Sequence, residues 1–159
     1  MDPRSLLTET VPFLSPRPAL DGVTPELADR RVPGAPHTIA EIVAHMTFWL
    51  DWFVGRCEGS GTPMPHAAAI GWPPVEAGTW DALRQRFLDA LDRLAVLGAA
   101  ADADVRRVEP PMEFPPIAGY TVRELIVHVA MHDAHHLGQI VLLRQMLGAW
   151  PPPAGAYTW

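Results

Sequence analysis

Residues 121–147 read TVRELIVHVAMHDAHHLGQIVLLRQML, and their spacing decides the kind of fold this chain builds. Thr121 stands three residues before Glu124, the pattern in which a side-chain oxygen and a carboxylate reciprocally cap a helix start. Val122, Leu125, Ile126, Val129, Ile140, Leu143 and Leu147 recur at three- and four-residue intervals, so a helix here carries one apolar stripe. Tyr120 and Leu125 suit a hydrophobic staple. Gly148 suits the position after the helix, and Pro151 stops continuation. Gly138 interrupts the helix at modest cost.

Two further proline-free stretches repeat this behaviour. Residues 38–58, TIAEIVAHMTFWLDWFVGRCE, open on another capping box, Thr38 with Glu41, followed by Ile42, Val43, Met46, Trp49, Leu50 and Phe53 at helical spacing. Residues 76–100 place Trp80, Leu83, Phe87, Leu91, Leu94 and Leu97 likewise, with Thr79 as N-cap and Gly98 near the end. Ser15-Pro16 predicts a short helix through Ala19, Leu20 and Val23, and Leu6, Leu7 and Val11 suit another. Proline and glycine clusters at 33–37, 59–65, 71–74, 110–116 and 151–155 read as loops. No segment alternates as a strand would. The expectation is an all-α four-helix bundle in one domain, residues 1–159, with a helical core over about 15–148 and a proline-rich tail from 150.

Composition narrows the function. The chain has 159 residues and net charge −6, without a basic run, which argues against nucleic acid as a partner. All 12 basic residues are arginine; without lysine there is no Schiff-base chemistry, and without asparagine no N-glycosylation. That bias, with 18 prolines, suggests a GC-rich bacterial genome. Cys57 is the only cysteine, so neither an internal disulfide nor a thiolate cluster forms. No signal-peptide pattern and no membrane-length apolar run occurs, so a cytoplasmic protein is expected.

Four of the seven histidines fall in HVAMHDAHH: His128, His132, His135 and His136. His132 and His136, four apart, stack one turn above the other within or beside the apolar stripe. Two inward imidazoles either hydrogen-bond their neighbours or share a metal ion. A pair holds a metal poorly, and His45, beside the stripe of 38–58 and flanked by Trp49 and Trp52, is the best third ligand. His128 suits a fourth ligand or, better, a supporting or structural place; His135 points toward the rim. His37 and His66 read as solvated. Asp133 either orients a ligating imidazole or pairs with an arginine, and Gln139 lines the pocket. TIAEIVAH (38–45) and TVRELIVH (121–128) match in pattern, placing His45 and His128 equally far from their caps.

The run HDAHHLGQIVLLRQMLGAWPPP (132–153), with EIVAH (41–45) upstream, resembles the DinB/YfiT-like superfamily. The resemblance implies a metal-binding four-helix bundle, with one histidine on the second helix and an H-x3-H pair before Gly-Gln on the fourth. Carried over, these are His45, His132 and His136. It also implies thiol-dependent transferase or isomerase activity in some relatives, with bacillithiol, mycothiol or glutathione as co-substrate.

Three imidazoles leave metal positions open, the pattern of a catalytic site. Zinc or nickel, then iron, suits such ligands. The functional expectation is a metal-dependent thiol S-transferase acting on a small molecule, with Trp49, Trp52 and Tyr120 as an apolar wall. The alternatives are a non-catalytic metal- or ligand-binding module, such as a stress sensor, and a metal-dependent hydrolase, for which Asp133 is the one visible base. No catalytic residue is identified beyond the ligands. Tryptophans 72, 150 and 159, if exposed, would suit a homodimer interface.

Overall fold

The computed structural model describes residues 15–155. Among these residues five α-helices follow in order: α1 (Pro16–Leu20), α2 (Pro25–Asp29), α3 (Ile39–Cys57), α4 (Trp80–Gly98) and α5 (Val122–Met146). Among the described residues there is no strand; the β pairing is one isolated bridge, Arg107 with Thr121. The all-α bundle expected from the periodicity is what the chain forms. No helix of the described residues is long and apolar enough to cross a membrane.

The long helices begin where their caps place them. Thr38 accepts from the Glu41 amide and Glu41 from the Thr38 amide; Thr121 and Glu124 do the same for α5. Each box satisfies two of the amides a helix start leaves unpaired. Thr79 caps α4 differently: its hydroxyl donates to the Glu76 carbonyl rather than accepting from the helix. Gly148, at φ +70°, supplies the left-handed residue that ends α5.

The fourth place in the bundle is shared by two short helices, where one short helix through Val23 was expected. Gly22 at φ +70° breaks the chain, and Thr24-Pro25 starts α2, with Thr24 accepting from the Leu27 amide. Helix α1 packs on α4 and α5, and α2 on α3 and α4. The Trp80 indole, fully buried, donates to the Val23 carbonyl at 2.7 Å and pins this break. The expected helix on Leu6, Leu7 and Val11 lies outside the described residues, as does Trp159.

The core runs through all five helices, with Val43, Met46 and Leu50 of α3, Phe87 and Leu94 of α4, and Val122, Leu125 and Ile126 of α5 at its centre. Burying such side chains is worth about 1.5–3 kcal/mol each. Among the described residues Arg56 and Arg144 are also buried. Arg144 donates to the Ala19 carbonyl at 2.6 Å and the Ala149 carbonyl at 3.1 Å, and lies over the Trp150 ring. Arg56 donates to the carbonyls of Thr62, Pro110 and Pro111. It thereby ties the α3–α4 connection (residues 58–79, hereafter the strap) to the α4–α5 connection.

Candidate metal centre

Helices α3 and α5 face one another, and His45 of α3 meets His132 and His136 of α5. One ring nitrogen from each lies within 4.8 Å of the others, so the three could hold a metal ion. His45 Nε2 and His132 Nε2 are 3.3 Å apart. Zn–N bonds of about 2.0–2.1 Å at a tetrahedral ion put two ligand nitrogens about 3.3–3.4 Å apart. The ring centroids stand 4.6 Å (132–136), 4.7 Å (45–136) and 5.3 Å (45–132) from one another. His45 and His136 are buried, while His132 keeps 27% of its side chain exposed and marks the side open to solvent.

Each ring is held from behind through Nδ1. His45 Nδ1 lies 2.6 Å from the Gly71 carbonyl, His136 Nδ1 2.8 Å from Gln139 Oε1, and His132 Nδ1 3.3 Å from Asp133 Oδ1. An oxygen acceptor at Nδ1 puts the proton there and leaves the Nε2 lone pair facing the centre. Two such lone pairs 3.3 Å apart repel unless a cation lies between them. Burial disfavours the protonated form of His45, one of the two rings, and pushes the pKa of the neighbouring His136 down to about 4.

Asp133 supports the same conclusion. It is 4% exposed, and its Oδ2 has no hydrogen-bond partner. Burial raises its pKa, the hydrogen bond to His132 working against that rise. A dication held beyond His132 would offset the charge of this carboxylate, as in the carboxylate–histidine–metal relay of many sites. The donor set therefore fits a divalent ion bound by three neutral imidazoles.

The remaining sequence candidates take definite places. Gln139 is exposed and orients His136, with its Nε2 3.3 Å from His135 Nε2; His135 lies at the exposed rim. His128 stays outside the trio, packed edge-on against Phe53 and Tyr120 at 5.6 and 6.0 Å. Burial lowers its pKa. His66 is exposed. Glu41 caps α3 and pairs with Arg31.

The aromatic surroundings differ from the expectation. The ring stacked on His45 belongs to Trp72, 3.9 Å away with 13° between the planes. Trp72 is half-buried because the strap folds back over the site, so it is no free surface tryptophan; Trp150 is half-buried against Arg144. Trp52 is buried and donates to the Pro63 carbonyl at 3.1 Å, holding the strap. Trp49 packs against Gly71. His37, read as solvated, lies on the outer face of Trp72 at 3.7 Å. Gly71, Trp72 and His37 were the site residues that sequence reasoning missed; the one aromatic residue of the connection, Trp72 in the Gly-Trp-Pro-Pro run of 71–74, was the available signal.

Gly71 is required at its position. A Cβ there would meet Trp49 Nε1 at 2.6 Å and Cε2 at 3.0 Å. Gly71→Ala should cost about 2 kcal/mol of stability by forcing the strap or the indole aside. Trp49→Phe in the same chain should recover part of the loss. Urea unfolding of the single and double variants checks this; equal stability of Gly71→Ala and wild type would contradict the packing.

An all-α bundle with three converging, back-bonded histidines is the class that fold and site define. A family model for the DinB superfamily matches residues 17–140, and the chain belongs to that superfamily. No curated protein and no solved structure matches it.

Proposed function

We propose that the protein binds one divalent ion, zinc or nickel in preference to iron, through His45, His132 and His136, and acts as a thiol-dependent S-transferase on a small molecule. The observation that carries this reading is the convergence of one ring nitrogen from each of three histidines within 4.8 Å, each ring having an oxygen at its Nδ1. When bound, an open dication lowers the pKa of a thiol or water beside it, supplying a nucleophile at neutral pH.

The chain's own residues do the rest. Gly71, Asp133 and Gln139 hold the ring planes, and Trp72 keeps water from the outer face of His45. Phe53, Tyr120 and His128 form an aromatic wall one turn along α5 from the open side at His132. Low-molecular-weight thiols such as bacillithiol, mycothiol or glutathione are the co-substrates this reading favours.

A hydrolase is less well supported. The carboxylate that contacts the trio among the described residues is Asp133, buried and turned toward His132. A cytoplasmic setting, no nucleic-acid partner and a homodimer belong to the same reading; Met131, Leu142 and Met146 stand exposed along α5.

Elemental analysis of tag-free protein should find about one equivalent of metal. The loaded protein, given each thiol with a generic electrophile, should then form thioether product. Absence of metal overturns the whole reading. Tight metal binding without turnover for any thiol leaves the non-catalytic binding module.

A further inference from the structure

Five side chains form a continuous line from the surface to the candidate metal centre. Arg31 pairs with Glu41 at 2.6 Å, and His37 Nδ1 lies 3.6 Å from the other oxygen of that carboxylate. His37 stacks on Trp72 with 9° between planes, and Trp72 stacks on His45 with 13°. The indole is thus held between two imidazoles, one anchored to the cap of α3 and one in the candidate ligand set. The residue before Trp72 supplies the carbonyl that fixes His45 Nδ1.

Resting on the metal-binding reading above, we propose that Trp72 is a positioning residue that couples closure of the strap to occupation of the metal site. The argument is one of differential interaction. A metal-bound imidazole is poorer in electrons than a free one and is a stronger N–H donor. The indole face is electron-rich and attracts electron-poor partners. Both contacts from the strap, the Trp72 face and the Gly71 carbonyl, are therefore stronger when the ion is present. Linkage then requires reciprocity: the ion holds the strap down, and the strap tightens the ion.

The strap has few other anchors near its middle. Trp52 and Arg56 hold it at Pro63 and Thr62, and Met64 bonds Glu113. Between Ala67 and Gly71 it makes a single 3-10 turn with Ile70 exposed. Residues 66–70 are exposed, so release of Gly71 and Trp72 together frees residues 66–72 without unfolding the bundle, while Val75 stays packed on the core.

The test compares wild type, Trp72→Phe, Trp72→Ala and His37→Ala. Zinc affinity is measured by competition with a chromophoric chelator, and amide hydrogen exchange of residues 66–72 is followed with and without zinc. Circular dichroism of the metal-free proteins establishes that each variant is folded.

Trp72→Ala should bind zinc about tenfold more weakly, Trp72→Phe and His37→Ala by smaller factors. Zinc should slow exchange of the strap in wild type and not in Trp72→Ala. A wild type that binds no zinc overturns the metal reading itself. A wild type that binds zinc while Trp72→Ala binds it equally well, or whose strap exchange ignores zinc, overturns the coupling alone.

Discussion

His136→Ala should leave the protein folded and strip it of metal. In structural zinc sites the binding free energy, shared among the ligands, comes to roughly 3 kcal/mol or more each. Losing one of three should weaken binding at least about a hundredfold. The bundle should survive because the group left without its partner, Gln139 Oε1, belongs to an exposed side chain that water can satisfy. His132→Ala is a harsher test. It removes the hydrogen bond of Asp133, leaving a buried carboxylate whose second oxygen already has no partner. That variant should lose stability as well as metal. His128→Ala and His135→Ala, outside the trio, should keep their metal. Elemental analysis with chelator competition across the four variants reads all of this. Metal retained by His136→Ala, or lost by His128→Ala, would reassign the ligands.

Much of this was legible because helices announce themselves through period. The stripe of α5 and its capping box fixed both the helix and the face its histidines share, and four-residue spacing brought His132 and His136 together without any knowledge of tertiary structure. His45 was legible for the same reason: its depth below the Thr38 cap follows from the helix alone. Asp133 and Gln139, within three residues of His132 and His136, came with it. The strap obeys no period. Gly71 reaches His45 across 26 residues of chain, and nothing in a proline-rich loop says which way its tryptophan turns. The buried arginines were hidden for a related reason. Arg56 and Arg144 place guanidinium donors on main-chain carbonyls, and Arg144 lies over an aromatic face, partners that leave no pattern in sequence. The break between α1 and α2 did leave one, in Gly22 and Thr24-Pro25, but the apolar residues on either side read equally well as a single element.

The metal-free protein should lose stability as the pH falls from 6.5 toward 4. Burial pushes His136 down to about 4 from its ordinary 6.5, so the unfolded chain takes up its proton first. Above 6.5 the ring is neutral in both states and contributes no slope. Between the two values the unfolded state binds more protons, and stability drops with falling pH. The full loss, reached below 4, is about 3 kcal/mol for this residue. His45 and His128, also lowered by burial, add in the same direction. Asp133 opposes them, since a carboxyl raised by burial is relieved of its penalty when it protonates. Bound metal steepens the dependence, because protons compete with it for the same Nε2 atoms. Urea unfolding of chelator-stripped protein from pH 7.5 to 4.5 isolates the histidine contribution. The curve should be flat above 7 and fall below 6.5, and His136→Ala should flatten it. The same slope in wild type and His136→Ala would mean that burial does not hold this imidazole neutral, the form in which it could bind a cation.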